Sequence, residues 1–167
     1  KPLYGGTTGT DAQKRYYRAF KEKYEDITMW HGELQRHAVK YKKVRLPSGR
    51  EYMFPGCKWT EWGTATNRTA ICNYPVQGFA TGDIVPIVLL EIDKRLEGLQ
   101  SCLVNTVHDS VVIDVHPAEE EQVIRIIKDV NDNLIDIIKD YYDVTINVPM
   151  VLEAKIGNNW LDTKDVM

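Results

Sequence analysis

Between His116 and Tyr142 the chain carries its clearest apolar stripe: Val123, Ile127, Val130, Leu134, Ile137 and Tyr141. Side chains three and four positions apart share one side of an α-helix, so this face must be buried against a second layer. Pro117 suits a first helical turn, where its missing N–H costs nothing, and Glu119, Glu120 and Glu121 suit the positive end of the helix dipole. A helix so striped needs a sheet, and its neighbours supply strands. Leu103–Val107 and Val111–Val115 are β-branched runs flanking the polar step His108-Asp109-Ser110. Val, Ile and Thr are stiff at χ1 and fit a pleated surface, so the pair predicts a hairpin turning at His108-Asp109. Val144–Val148 and Pro149–Ile156 read as two further strands. Hairpins with helices gathered on one face define an α+β fold, an antiparallel sheet with helices packed on one side.

Asp109 at that turn has two readings. An Asp bonds its own backbone in turns, which is a structural role. A carboxylate lifted off a rigid hairpin can also serve as a metal ligand or general base. The hairpin alone leaves both open.

Upstream, Gly5, Gly6 and Gly9 make a loop that matches no phosphate-binding fingerprint. Thr10 and Gln13 form a capping box, so the loop reads as the entry to a helix over 11–40, with a break near Asp26. Tyr16, Tyr17, Phe20, Tyr24, Ile27, Trp30 and Leu34 follow helical spacing, and such a stripe reads first as core. From Lys40 the period becomes two, giving a hairpin closed by Pro47-Ser48-Gly49. Lys40, Lys42, Lys43, Arg45 and Arg50 sit on or beside it, either guarding a sheet edge or lining a phosphate track. Residues 55–68 form a long loop of mixed polar and aromatic character. Asn73-Tyr74-Pro75 then reads as a break, followed by a helix from about Val76 to Leu96 whose buried face is Ile84, Val88, Ile92 and Leu96. Gly98 is its C-cap, and Pro86 should kink it or leave a carbonyl unpaired. Gln77, Gly78 and Ala80 form a small-residue first turn that lets a backbone or base edge come close.

Composition excludes some classes. Cys57, Cys72 and Cys102 show no CxxC spacing, which argues for reduced thiols inside a cell rather than a disulfide frame or a zinc site. No apolar run reads as a membrane span. The net charge of −3 hides an asymmetry: residues 1–70 hold 14 Lys and Arg against 7 Asp and Glu, whereas residues 71–167 hold 7 against 17. A basic half joined to an acidic half suits one face for phosphate and another for a cation. Ser110 and His108 are sequence neighbours with no nucleophile elbow, which argues against a Ser-His-Asp hydrolase.

The stretch NYPVQGFATGDI (73–84), followed by VHDS (107–110), resembles the C-terminal part of a family A, polymerase I-type DNA polymerase, most similar to phage-type members. KPLYGG resembles the tail of that family's fingers motif and VLEAKIGNNWLD its last palm strand, so the resemblance covers essentially the whole chain. It implies a helical remnant of the fingers over 1–40 and a palm over 41–167. It also implies that Asp109 is catalytic and binds Mg²⁺. His108, Gln77, Asn73, Arg68 (with a one-residue shift left open) and Tyr4 would contact DNA. Ser110, where many members have Glu, and the cations Lys42, Lys43 and Arg45 would play secondary parts. The implied partners are primer–template DNA, dNTPs, and an upstream part of the polymerase that supplies the second metal-binding Asp and the fingers Lys and Arg. Two-metal nucleotidyl transfer needs more than one carboxylate, so the isolated chain is expected not to polymerise. A single-subunit RNA polymerase fragment, which shares HDS, and a non-catalytic nucleic-acid-binding palm module are the alternatives.

Overall fold

A capping box starts the structure: in the computed structural model, which describes residues 10–167, Gln13 N donates to Thr10 Oγ1 and Thr10 N to Gln13 Oε1. Tyr4 and the glycine loop lie outside the described residues. Helix α1 (Asp11–Lys23) and α2 (Glu25–Tyr41) meet at Tyr24, whose φ of −121° and ψ of 53° interrupt the helix two residues before the expected break. The aromatic stripe on this segment is not core. α1 buries no residue, and Tyr16, Phe20, Tyr24, Ile27 and Trp30 are all exposed. Helical spacing aligns side chains but does not supply the surface that covers them.

The remaining elements divide between two compact units, one of residues up to Leu46 with Arg50–Val76, the other of Pro47–Gly49 with Gln77–Met167. In the first, β1 (Lys43–Arg45) pairs antiparallel with β2 (Glu51–Met53), as the two-residue period predicts. Its core is Ala38, Val44, Phe54, Cys57, Ala65 and Ile71. Helix α3 (Arg68–Phe79) runs through Asn73-Tyr74-Pro75, where the sequence predicts a break. Proline in a helix forfeits a backbone bond. Here Ile71 and Pro75 are buried, and the Tyr74 ring packs on Tyr52 with centroids 4.7 Å apart, so packing holds the helix.

In the second unit a π-helical turn, Ala80–Ile84, leads into α4 (Val85–Leu96). Val85 N bonds Ala80 O, five residues back, and Pro86 falls in the first turn of α4 rather than its middle. A π-turn is a recognised way to absorb such a register change. Because α3, the π-turn and α4 are continuous, Arg68–Leu96 reaches the length and apolar composition of a membrane span, contrary to the expectation from shorter runs. Part of that apolar surface is packed: Ile71 belongs to one core, and Ile84, Val88, Ile92 and Leu96 to the other. The C-cap is Glu97, one residue before the glycine expected there, and Gly98 follows it in the left-handed conformation at φ +86°.

β3 (Cys102–Val107) and β4 (Ser110–Asp114) form the predicted hairpin. A 3₁₀ turn, Pro117–Glu119, precedes α5 (Glu120–Asp132), and α6 (Leu134–Tyr142) follows after a break at Asn133. Asn133 Nδ2 donates to the Asp129 carbonyl at 2.8 Å, competing with the helical ladder at the break. The buried face is Val123, Val130, Leu134 and Ile138, packed chiefly with α4 residues and only partly with Leu103, Ile113 and Val115 of the hairpin segment. The stripe therefore finds a helix first and a sheet second. The strands expected over 144–156 are mostly absent: only β5 (Lys155–Gly157) forms, paired with β6 (Thr163–Asp165). Ile146, Met150 and Leu152 cover the helical core without a strand partner, and the Asn131 side chain takes the Leu152 N–H at 2.7 Å. The fold is α+β with small antiparallel sheets, and among the described residues these are three two-stranded ladders rather than one layer.

Candidate functional site

The β3–β4 turn is built from its base upward. Glu119 accepts Gln100 N and Ser101 N (3.0 and 2.8 Å) and Ser101 Oγ at 2.6 Å, while Ser101 Oγ accepts His116 N at 2.9 Å. Both ends of the hairpin are thus tied to one carboxylate. The backbone N–H of Gln100, with the Ser101 hydroxyl, holds the Glu119 carboxyl below its ordinary range. A bulge between Leu103 and Asn105 shifts the register by one residue, a device that re-aims side chains beyond it.

Val107 pairs with Ser110, so the loop is only two residues, His108 and Asp109. His108 has φ +56°, a conformation in which His, Asn and Asp are enriched among non-glycine residues and which recurs at functional sites. Ser110 Oγ donates to Val107 O at 2.9 Å, and Thr106 Oγ1 to Ser110 O at 3.1 Å. Ser110 is therefore occupied in bracing the turn. Asp109 is exposed, and its carboxylate forms no hydrogen bond or ion pair among the described residues. The turn-forming role, in which Asp bonds local backbone, is thus not the one it plays.

A hard anionic oxygen is what Mg²⁺ takes, so Asp109 fits as one ligand. Among the described residues no three His, Cys, Asp or Glu side chains converge as a metal group. Among the described residues the turn offers one exposed acid, Asp109.

The other sequence-predicted residues lie elsewhere. Arg68 opens α3 half-buried, and its charge, after burial, pushes the His31 imidazole below its ordinary value. Asn73 and Gln77, four residues apart and both exposed, share one face of α3. Lys42 ends α2 in the left-handed conformation (φ +60°), and its Nζ donates to Cys57 O at 2.5 Å. Lys43 pairs with Glu51 at 2.8 Å. Arg45 is exposed opposite Glu51 in the register. Of the three hairpin cations given secondary parts, Lys42 and Lys43 have structural partners, and Arg45 is exposed.

Sequence reasoning passed over Asp83. It lies in the π-turn, 2% exposed, and accepts the Ser48 hydroxyl. A carboxylate beside the apolar run from Ile84 was a signal, because a buried charge needs a partner.

A family model described as DNA polymerase family A matches residues 6–162. The DNA polymerase of Bacillus phage SP01 is 25% identical over 161 residues, 95% of this chain and 17% of the phage protein. DNA polymerase I of Lactococcus lactis subsp. cremoris is 29% identical over 163 residues, again 95% of this chain and 17% of the relative. DNA polymerase I of Deinococcus radiodurans is 32% identical over 92 residues, 55% of this chain and 9% of the relative. The chain spans less than a fifth of the length of these curated relatives.

Proposed function

Because the chain belongs to DNA polymerase family A, we propose that it is the metal-binding C-terminal part of a template-directed DNA polymerase that adds dNMP to a primer 3′-OH. The observation that carries this reading is the free carboxylate of Asp109 on a two-residue turn clamped at its base by Glu119. Asp109 would hold Mg²⁺, which supplies positive charge against the phosphoryl group being transferred. His108 precedes that acid in the two-residue turn, and Asn73 and Gln77 carry amides that suit the acceptor-lined minor groove of a new duplex. Arg45, with Arg68 at the head of α3, supplies charge for the phosphate backbone.

One carboxylate holds Mg²⁺ weakly, because the ion gives up water reluctantly. The reading therefore includes a second aspartate and triphosphate-binding cations from an upstream part of the same polymerase. Purified chain given primer–template, dNTPs and Mg²⁺ extends nothing, and supplying the upstream part, fused or separate, restores synthesis. Extension by the isolated chain that Asp109→Ala abolishes would overturn this division of labour.

A second reading, a palm module that binds nucleic acid without catalysis, uses the same exposed Asn73, Gln77 and Arg45 and needs no metal. On that reading Asp109→Asn binds duplex at least as tightly as the parent, and no upstream part restores synthesis.

A further inference from the structure

Residues 58–66 form a small hairpin that no regular strand announces. Trp59 bridges Ala65 across it. Thr66 N donates to Lys58 O at 2.9 Å, Lys58 N to Thr66 Oγ1 at 3.1 Å, Thr60 N to Thr64 O at 2.8 Å and Thr60 Oγ1 to Thr64 O at 2.9 Å. Gly63, at φ +69°, closes the tip with its N–H on Thr60 O. The arm is anchored below: Ala65 N donates to the buried Gln35 side chain at 3.1 Å, and Lys42 Nζ to Cys57 O. So many bonds immobilise a loop whose apex is Trp62, 75% exposed, with Trp59 46% exposed on the same arm.

An exposed Trp at the tip of a bonded arm forgoes the gain of burial. What it offers is a large aromatic face presented on an ordered backbone. The surroundings indicate the ligand's charge. Residues 40–68 carry seven Lys and Arg against the two acids Glu51 and Glu61. Lys42 and Lys43 are engaged within the fold, and Lys58 on the arm and Arg45 are exposed, whereas protein-binding hot spots sit in patches depleted of charge. Aromatic faces interleaved with cations are the composition of single-strand nucleic-acid platforms.

We propose that Trp62 is a stacking contact for an unpaired base of single-stranded DNA, with Trp59 and Lys58 extending the platform. This rests on the polymerase reading above, which supplies a template strand but assigns nothing to this arm. A duplex exposes a free base face only at its ends, so the arm favours unpaired over paired DNA.

The test titrates the chain with short oligo-dT and, separately, with primer–template, following tryptophan emission and anisotropy of labelled DNA. Oligo-dT quenches the emission of the parent. Trp62→Ala weakens oligo-dT binding about 5- to 150-fold, the range for losing one stacked base, and keeps the parent's salt slope because no charge is removed. Trp62→Phe, which keeps a ring, retains most of the affinity. Unchanged far-UV circular dichroism checks that both variants fold. If Trp62→Ala binds oligo-dT like the parent while primer–template binding persists, the inference fails and the polymerase reading stands. If the parent binds neither DNA, both fail. If Trp62→Ala instead dissolves a self-associated form seen by sedimentation and leaves DNA binding intact, the ring is a protein contact and the inference is overturned.

Discussion

The two hairpins β1–β2 and β3–β4 are built alike and use their charges in opposite ways. In β1–β2, Lys43 pairs with Glu51, the Lys42 ammonium caps the Cys57 carbonyl, and Val44 is buried in the core. Its charges are largely absorbed by the structure. In β3–β4 the stabilising work is done at the base by Glu119 and at the turn by Ser110 and Thr106, which leaves Asp109 without a partner among the described residues. A charge kept free in a rigid turn costs little stability, because it remains in water, and it is the kind of group chemistry can use. A charge tied into a scaffold is poorly available to a ligand. The comparison separates binding candidates from scaffold more sharply than net charge does.

The largest expected effect is on β3–β4. With the upstream part supplied, Asp109→Ala lowers the rate of primer extension by about 10²- to 10³-fold, the scale of removing one electrostatic group from a transition state. Its thermal midpoint stays that of the parent, and a matching loss of stability would put Asp109 in the scaffold class. On β1–β2 the reverse holds. Val44→Ala, 2% exposed in the parent, costs about 2 kcal/mol in urea unfolding. Next come the cations. Lys42→Ala costs about 1.5 kcal/mol through the lost charge-assisted bond to Cys57 O. Arg45→Ala leaves stability within about 0.5 kcal/mol and instead reduces the salt slope of DNA binding by about 1. Equal effects from the two would erase the distinction drawn between them.

The smallest effect is in pH. The Lys43 ammonium holds the Glu51 carboxyl below its ordinary value of 4.5. The unfolded chain therefore takes up this proton first, so the support from this pair is present above that value and is lost as pH falls below it. Both side chains are more than a third exposed, so the effect is small and screened by salt. Acid titration of the Lys43→Met variant should lose only this component.

Much of this was legible in the sequence for local reasons. β-branched runs around a short polar step specify a hairpin, and the turn at His108-Asp109 lies where that pattern puts it, although the second strand opens one residue early, at Ser110. Gly98 at a helix end and the Thr10–Gln13 box are likewise decided within a few residues. The misreadings share one cause. Pro75 stays in a helix, residues 144–154 stay out of a sheet, and the α1 aromatics stay in water. Each outcome depends on whether a distant surface is available, which no local propensity encodes. Distance in sequence also hides the partners of Lys42 and Lys43, which from sequence could either guard a sheet edge or line a phosphate track. Only the fold showed their ammonium groups engaged.

By itself, then, the chain's order of residues determined its α+β class, its two principal hairpins, the acid at the tip of the second and the family it belongs to. These follow from spacing, backbone preference and motif, which act over short range. Tertiary structure alone decided which charges remain free, that Trp62 stands on a braced arm and that Glu119 anchors the Asp109 turn. Those outcomes depend on hydrogen bonds between residues far apart in sequence, such as Gln35 with Ala65 and Glu119 with Ser101, and only folding brings such groups within 3 Å or so of each other.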